Sequence, residues 1–390
     1  MDVKKEVKEV MDYVIEKRRY FHENPEVSMK EYKTSKYLKE ELKQYDLEII
    51  ETDDTAFYAI YDSKKEGKVI GLRTDIDALP VLESDENMTT KKVAVSKNEG
   101  YAHMCGHDGH MAMMLGTIKT IMKNKDKISG KLVFIFESGE EVVGGIYGLV
   151  ESMKNIKFDA IFGMHVYSGV DTGKILVKEG PIMAGITLVD FDVIGQAGHG
   201  SRPDLAKSPI FAGANIVNQL ASCFVNQLDV TKTVTLGLGK FISGTADNII
   251  PEKAKITGSL RYFDEEEGRK AREIFKKTIE NITNITGCTY EIHKLDQFAG
   301  PVINDNKLAK IVQNGLTDMF GDCIIDNDYW FASETFALYS KISPIVLLLV
   351  GARNREKGIY AEHHNERFDI DEDALYYGVS AAVRFIMDMQ

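Results

Sequence analysis

Residues 101–110 form the densest group of potential metal ligands in the sequence. They read Tyr-Ala-His-Met-Cys-Gly-His-Asp-Gly-His and hold three of the nine histidines and one of the four cysteines. Thiolate, imidazole and carboxylate are the side chains that bind transition metals in proteins. An apolar run begins at Met111, so we expect this group to lie where a loop enters a helix.

Cys105 and His107 are the first pair of candidate ligands, because two side chains this close in a glycine-containing loop can face one point. The other candidates lie further along the chain, at Glu141, His165 and His364. One tetrahedral ion takes four ligands. Five candidates therefore predict a site for two divalent ions (Zn, Mn, Co or Ni), with the Cys105 thiolate able to bridge them. The alternative is a buried free thiol and scattered surface histidines.

Glu140 and Glu141 are adjacent acids after an apolar run, and their side chains should project to different sides. Glu141 can then bind metal while Glu140 faces the substrate. Metal lowers the pKa of bound water toward ~7, and Glu140 would take its proton as general base. A solvated acidic loop is the alternative for this pair taken alone.

Asp75 and Asp77 follow another apolar run and could hydrogen-bond a ligand imidazole or thiolate. Arg73 is close enough in sequence to pair with one of them. His110 falls at the predicted helix start, where capping or packing is an equally good explanation.

Three further polar residues lie far from these segments in sequence. His199 belongs to a glycine-rich loop, and a lone loop histidine usually has no chemical role. Asn248 and Arg261 could hold a carboxylate, although a surface ion pair would explain Arg261 equally well.

The candidate residues follow apolar runs that are typical of buried strands. These runs are residues 68–72, 132–136, 160–164 and 345–350. Buried strands that alternate with helices predict an α/β fold, with a mostly parallel sheet covered by helices. Ligands of such sheets bind beyond the carboxyl ends of the strands, which is where the metal-type residues are expected.

Residues 183–296 have a different pattern, β-α-β-β-α-β, which is that of a ferredoxin-like α+β unit. We therefore predict that residues 1–182 and 297–390 form the metal-binding domain and that 183–296 form a second domain inserted into it. The strand expected at 233–238 could lie at a sheet edge and pair with a second subunit.

Charge and composition exclude several classes of partner. A net charge of −12 argues against a nucleic-acid partner. The run 345–350 is far too short to span a membrane, and the first residues lack the apolar core of a signal peptide. The four cysteines are widely spaced, with no disulfide framework, so a cytoplasmic location is expected.

Taken together, the motifs resemble those of the M20 metallopeptidase and amidohydrolase family, in its aminoacylase-like subgroup of N-acyl-amino-acid hydrolases. Hippurate hydrolase and auxin-conjugate hydrolases are of this type. The resemblance covers nearly the whole chain. Its segments are Arg18-Arg19-Tyr-Phe-His22-Glu-Asn-Pro25-Glu26, Gly71-Leu-Arg-Thr-Asp-Ile-Asp-Ala-Leu-Pro80, His103-Met-Cys-Gly-His-Asp-Gly-His110, Glu140-Glu141, Gly163-Met-His165, Gly195-Gln-Ala-Gly-His199, Gly244-Thr-Ala-Asp-Asn-Ile-Ile-Pro251, Ser333-Glu334-Thr-Phe and His364-Asn-Glu-Arg-Phe368.

The resemblance implies an enzyme that hydrolyses the amide bond of N-acetyl or aroyl L-amino acids and works as a homodimer or higher homo-oligomer. The inserted domain would be a lid or dimerisation domain. The implied metal ligands are Cys105, His107, Glu141, His165 and His364. Glu140 would be the general base and Asp77 would orient a ligand. His199 would stabilise the transition state, often from across the dimer, and Asn248 and Arg261 would bind the substrate carboxylate.

Some positions depart from the family pattern. Gln-Pro-Ala usually precedes the two glutamates, and Glu137-Ser138-Gly139 stands here. The usual Glu-Asp-Phe is Glu334-Thr335-Phe336, and Asp204 stands where a second histidine is usual. These loops line the substrate side, so the preferred substrate stays open.

Three other functions also stay open. A dipeptidase or carboxypeptidase would use the same chemistry on a different amide. A Cys105 nucleophile with His107 or His110 as base would work through a covalent acyl-enzyme. A catalytically silent metal-binding protein would bind ions without turnover.

Overall fold

The computed structural model describes residues 1–52 and 55–390 and divides into two compact units. The first comprises residues 1–182, 303–329 and 335–390, and the second comprises 183–302 and 330–334. The helices are α1 (Val3–Lys8), α2 (Met11–Glu23), α3 (Tyr32–Leu42), α4 (His107–Lys123), α5 (Ile146–Met153), α6 (Pro209–Gln227), α7 (Glu265–Thr286), α8 (Asn306–Phe320) and α9 (Asp373–Asp388). The strands are β1 (Glu48–Glu51), β2 (Phe57–Asp62), β3 (Val69–Asp75), β4 (Lys131–Glu137), β5 (Ala160–Asp171), β6 (Ile175–Leu176), β7 (Gly180–Met183), β8 (Gly185–Ile194), β9 (Gly198–His199), β10 (Val234–Ser243), β11 (Ile249–Ile250), β12 (Lys253–Tyr262), β13 (Thr289–Lys294), β14 (Gln297–Ala299), β15 (Val302–Asn304), β16 (Ile324–Ile325) and β17 (Ile345–Arg353).

The first unit is built on an eight-stranded sheet of order β1-β2-β4-β3-β5-β17-β6-β16. Its centre is parallel, since β3 pairs in parallel with β4 and β5, and β5 pairs in parallel with β17. The antiparallel pairs lie toward the two sides of the sheet. Strands β3, β4, β5 and β17 are buried over nearly their whole lengths, as expected for strands covered on both faces.

The register of the parallel strands brings their carboxyl ends to one edge. Asp75 at the end of β3 pairs with Glu137 at the end of β4. In the next two strands, His165 of β5 pairs with Leu349 of β17. The turn bearing Glu140 and Glu141 follows β4, so the polar residues after these strands meet at the same edge, as the sequence predicted.

Helix α4 is the central helix of the first unit and is apolar on nearly every side. It packs against α2, α9 and β3, which explains why residues 107–118 are all buried. Gly106 precedes it with a φ of 92°, a left-handed conformation that glycine adopts at little cost. The chain thereby enters the helix directly after Cys105, and His107 is the first helical residue. The sequence-based prediction, which began the helix near Met111, was four residues late.

The second unit has the predicted ferredoxin-like arrangement. Its antiparallel sheet has the order β10-β12-β8-β13, and α6 and α7 cover one face. Phe191, Ile256 and Phe275 are among the fully buried residues of that interface. Strand β10 lies at the sheet edge. The mixed α/β architecture with an inserted α+β unit confirms the predicted fold class.

The boundary after the second unit lies further along the chain than the pattern predicted. The sequence ended the inserted segment at residue 296, but β14 pairs with β8 and keeps 297–302 in the second unit. Residues 330–334 also belong to it. Among the helices of residues 1–52 and 55–390, none is long and apolar enough to cross a membrane.

Candidate metal centre

The five predicted ligands come together at the carboxyl edge of the first sheet. They arrive on four different elements: Cys105 and His107 at the start of α4, Glu141 in the 3-10 turn Glu140–Val142, His165 inside β5, and His364 in the loop after β17. The sulfur of Cys105 lies 3.5 Å from Nε2 of His165. Nε2 of His364 lies 3.4 Å from Oε1 of Glu141.

Two of the groups of ligand-type atoms at this edge share one residue, and a further group comprises His107, Glu140 and Glu141. Cys105, His107 and His165 form one group, and Cys105, Glu141 and His364 form the other, each with its ligand atoms within 4.8 Å of one another. A thiolate can bind two ions at once, so a cysteine shared by two groups is compatible with a two-ion site. This arrangement fits the bridging role that the sequence suggested for Cys105.

Two buried polar atoms in this cluster make no hydrogen bond within the described chain: Nε2 of His107 and Oε1 of Glu141. The two atoms are 3.8 Å apart. An unpaired buried polar atom is costly, and ligand atoms of one tetrahedral ion lie roughly 3.5 Å apart. The soft thiolate, imidazole and carboxylate donors present here suit Zn and related ions, so the residues fit a divalent metal.

The imidazole tautomers also suit metal binding. Nδ1 of His107 lies 2.9 Å from the main-chain oxygen of Asp77 and 3.2 Å from its Oδ1. Nδ1 of His165 lies 2.6 Å from the main-chain oxygen of Val166. These oxygens can only accept, so each Nδ1 carries a proton, and in the neutral ring each Nε2 has its lone pair for a metal. Asp77 therefore contacts His107 in the way that a residue orienting a ligand would.

The ligand cluster runs from the interior to the surface. The side chain of His107 is 1% exposed, whereas that of His364 is 51% exposed. His364 has a φ of 66°, unusual for a residue with a side chain, and its N–H donates to the carbonyl of Met104. Such strained backbone is found disproportionately at functional sites. The contact ties the loop after β17 to the residue that precedes Cys105.

Burial sets the protonation chemistry of the cysteine. Burial raises the pKa of the Cys105 thiol well above its usual value, and the charge of Glu141 raises it further. A thiol with a raised pKa is a weak nucleophile. A bound cation would displace its proton and favour the ligand role.

Arg73 and Asp75 pair as the sequence suggested, with Nη1 of Arg73 donating to Oδ2 of Asp75 at 2.7 Å. Oδ1 of Asp75 accepts from Nδ1 of His110 at 2.7 Å, and Nε2 of His110 accepts from the N–H of Val166. Burial alone would raise the pKa of Asp75, but His107, His110 and Arg73 hold it well below its usual range. His110 thus links two strands and does more than pack at the helix start.

The sequence reasoning gave no partner for Asp108, which lies in the first turn of α4. Its Oδ2 accepts from Nε of Arg18 at 2.9 Å and lies 2.8 Å from Nδ1 of His22. Arg18 also donates to Asp369. All these residues are buried, so they fix the start of α4 and with it the Cys105–His107 loop. The family motif around Arg18 and His22 was the available signal for this contact.

Glu140 is held from a second segment of the chain. Its Oε1 accepts from the main-chain N–H of Thr335 at 3.1 Å. The turn that carries Glu140 is fixed by Glu31, whose carboxylate accepts from the N–H of Gly139 at 2.9 Å. Burial raises the pKa of Glu31. The sequence gave no indication of either contact.

The remaining three predicted site residues belong to the second unit. His199 and Asn248 lie on two short segments that pair with each other, since β9 and β11 are antiparallel and Gly200 N–H donates to the carbonyl of Asn248. Nδ1 of exposed His199 accepts from the N–H of Ser201, which leaves Nε2 to carry the proton in the neutral ring. Arg261 lies on β12 and is half-buried, with Nη1 donating to the carbonyl of Phe331.

Comparison with known sequences agrees with this chemistry. The profile of Peptidase family M20/M25/M40 matches residues 71–388. Thermostable carboxypeptidase 2 of Saccharolobus solfataricus is 34% identical over 383 residues, which are 97% of this chain and 96% of that protein. An N-acyl-L-amino acid amidohydrolase of Geobacillus stearothermophilus is 35% identical over 305 residues, 78% of this chain and 81% of that protein.

A solved structure shows the same fold. It is a Bacillus subtilis protein described as a dinuclear metal binding peptidase from the M20 family. It superimposes with a TM-score of 0.82 at 27% sequence identity, and the match covers 97% of this chain and 98% of the other.

Proposed function

The chain belongs to peptidase family M20/M25/M40 and is a hydrolase of that family, and we propose that it hydrolyses the amide bond of N-acyl-L-amino acids with two divalent ions per subunit. The observation that carries this proposal is the pair of ligand groups that share Cys105 at the carboxyl edge of the sheet. Asp77 and Val166 hold the imidazoles of His107 and His165 in the tautomer that leaves Nε2 available.

Divalent ions in such a site polarise the amide carbonyl and make a water more acidic. The protein's part is to place the reacting groups and move the proton. Glu140 takes the proton from the attacking water and passes it to the nitrogen of the leaving amine. The N–H of Thr335 on one carboxylate oxygen of Glu140 limits its rotation.

Residues of the second unit supply recognition in this proposal. His199 donates a hydrogen bond from Nε2 to the oxyanion of the tetrahedral intermediate, a role that suits the tautomer set by Ser201. Asn248 and Arg261 bind the carboxylate of the amino acid, for which a guanidinium is well suited. The exposed edge strand β10 supports a homodimer, because an unpaired strand can join that of a second copy.

A carboxypeptidase of the same chemistry is the second candidate. The similarity to thermostable carboxypeptidase 2 covers nearly the whole of both chains. Both activities need a free carboxylate on the substrate and differ in what lies on the acyl side of the scissile amide. The four cysteines are free thiols, which supports placing either enzyme in a reducing, cytoplasmic compartment.

The test is a substrate panel assayed on protein stripped with a chelator and reloaded separately with Zn, Mn, Co or Ni. N-acetyl and N-benzoyl amino acids report the deacylase, and N-acylated dipeptides report the carboxypeptidase by release of the C-terminal amino acid. We expect turnover of N-acyl amino acids only in the reloaded protein. Full activity of Glu140→Ala would contradict the mechanism, and activity that survives chelation would favour a Cys105 nucleophile. Tight metal binding without turnover would identify a silent metal-binding protein.

A further inference from the structure

We propose that Thr335 and Glu137, two positions at which this chain departs from the family pattern, are positioning residues that act together to orient Glu140. The inference rests on the proposed role of Glu140 as general base. Neither side chain is among the predicted ligands or substrate contacts. Each acts on Glu140 through the backbone at Thr335.

The two side chains face each other in a fully buried cluster. The hydroxyl of Thr335 donates to Oε1 of Glu137 at 2.5 Å. Oε2 of Glu137 accepts from Nε of Arg73 at 2.8 Å and from the hydroxyl of Tyr339 at 3.0 Å. Nη2 of Arg73 also donates to the Thr335 hydroxyl. These contacts fix residue 335 from two sides, and a hydrogen bond to a charged partner is stronger than one between neutral groups.

Thr335 reaches Glu140 through its main-chain N–H. It is the first residue of the 3-10 turn Thr335–Lys341. The first N–H groups of a helix have no partner within it, so the N–H of Thr335 is available to a carboxylate. It donates to Oε1 of Glu140 at 3.1 Å. The hydrogen bond from the Thr335 hydroxyl to Glu137 therefore helps to fix the position of the Thr335 N–H.

The nature of the two departures supports a coupled role. Where glutamine and aspartate are usual, this chain has Glu137 and Thr335, so the acid of the pair stands at position 137 and not at 335. Arg73 lies between Glu137 and Asp75 and donates to both. A second acid at position 335 would bring another negative charge against Glu137, which like-charge repulsion disfavours. A glutamate at position 137 is therefore compatible with a neutral hydrogen-bond donor at position 335 and not with a second acid there.

The experiment is a double-mutant cycle with conservative variants. Thr335→Val removes the hydroxyl at nearly constant shape, and Thr335→Ser keeps it. Glu137→Gln, Thr335→Asp and the double variant Glu137→Gln/Thr335→Asp complete the cycle. Thr278→Val is the matched control, because Thr278 is also buried, on α7, and among the described residues its hydroxyl donates to the carbonyl of Ile274 alone.

We expect Thr335→Val and Glu137→Gln each to lower kcat by about 10- to 100-fold, the effect of a slightly misplaced catalytic group. KM and metal content should stay within about twofold of wild type. Thr335→Ser should keep most of the activity. The kcat of the double variant should be higher than that of either Glu137→Gln or Thr335→Asp alone. Thr278→Val should lower only the melting temperature.

Two results would overturn the inference: wild-type kcat in Thr335→Val with the stability loss of the control, or strictly additive effects in the cycle. A crystal structure of Thr335→Val gives a readout that does not depend on turnover. The Glu140 carboxylate should be displaced or should adopt more than one conformation, and an unchanged, well-ordered carboxylate would refute the role. If wild type hydrolyses nothing on the panel, the proposed function fails, and the crystal structure alone decides the inference.

Discussion

Nε2 of His107 and Oε1 of Glu141 lie 3.8 Å apart, and neither atom makes a hydrogen bond within the described chain. They belong to elements far apart in sequence, the first turn of α4 and the turn after β4. A protein does not usually bury two such atoms against each other without a further group to satisfy them. A cation at this point would bind both and remove the cost.

Metal content should therefore depend on these two residues. We expect His107→Ala and Glu141→Ala to bind fewer ions than wild type, measured by elemental mass spectrometry after equilibration with Zn or Mn. His293→Ala is the matched control. His293 forms a ligand-like group with Asp192 and Glu291 in the second unit, but Lys253 already pairs with Asp192 there. Unchanged metal content in His107→Ala, or a loss in the control, would place the ions elsewhere.

The two adjacent glutamates should separate catalysis from metal binding. We expect Glu140→Gln to lower kcat by about 10²- to 10⁴-fold, the usual contribution of a general base, with metal content retained. Glu141→Gln should lose both activity and metal, because an amide is a poorer ligand than a carboxylate. Paired measurements of kcat and bound metal on the two variants decide this. Equal loss of metal in both variants would show that Glu140 and Glu141 both contribute to metal binding.

Acid should weaken the first unit partly through Glu83. Its carboxylate lies 2.8 Å from Nε2 of His22 and 2.9 Å from Nζ of Lys92, with the side chain 3% exposed. Burial would raise the pKa of Glu83, but His22 and Lys92 lower it from 4.5 to about 2. Because the pKa of Glu83 is lower in the folded than in the unfolded state, its ionised form stabilises the fold above about pH 4.5. This stabilisation is lost as the pH falls toward about 2.

Glu83→Gln removes this contribution and should flatten the pH dependence of stability. The difference in the free energy of unfolding between wild type and variant should shrink by about 2 kcal/mol as the pH falls from roughly 6 to 3. Urea unfolding at several pH values measures this difference. If the free energies of unfolding of the two proteins change in parallel with pH over that range, Glu83 is not the source of the acid destabilisation.

The sequence indicates which side chains meet at the sheet edge because its signals are local. Each apolar run could be recognised by itself, and side chains of ligand type follow the runs that became β4 and β17. Polar residues inside elements were harder to place. His165 was expected after a strand but lies within β5, and His107 was expected before a helix but begins α4. A polar residue interrupts an apolar pattern whether or not the backbone element continues.

The contacts that hold Glu140 could not be predicted from sequence patterns. Thr335 acts on it through a main-chain N–H, which every residue except proline carries, so no residue type signals the contact. Glu31 lies 108 residues from Gly139, and its carboxylate accepts a hydrogen bond from the N–H of Gly139. Such pairs are determined by the tertiary fold. The departures at Glu137 and Thr335 could be read from the sequence, but their mutual hydrogen bond could not.

Gly139 is the residue at which backbone conformation most directly controls the catalytic turn. It has a φ of 62°, and a Cβ there would lie 2.5 Å from the sulfur of Met29. We expect Gly139→Ala to lose about 1–2 kcal/mol from the left-handed conformation alone, and more from the contact. Displacement of the turn should also lower both kcat and metal content, because Glu140 and Glu141 follow directly.

Two companion variants separate these causes. Gly148→Ala, in α5, meets open space at an ordinary helical φ, so it should leave activity unchanged and raise stability by up to about 1 kcal/mol. Met29→Ala combined with Gly139→Ala relieves the contact but not the backbone strain. It should therefore recover part of the lost stability and activity relative to Gly139→Ala. If Gly139→Ala matches Gly148→Ala in melting temperature, kcat and bound metal, the left-handed glycine is not what positions the two glutamates.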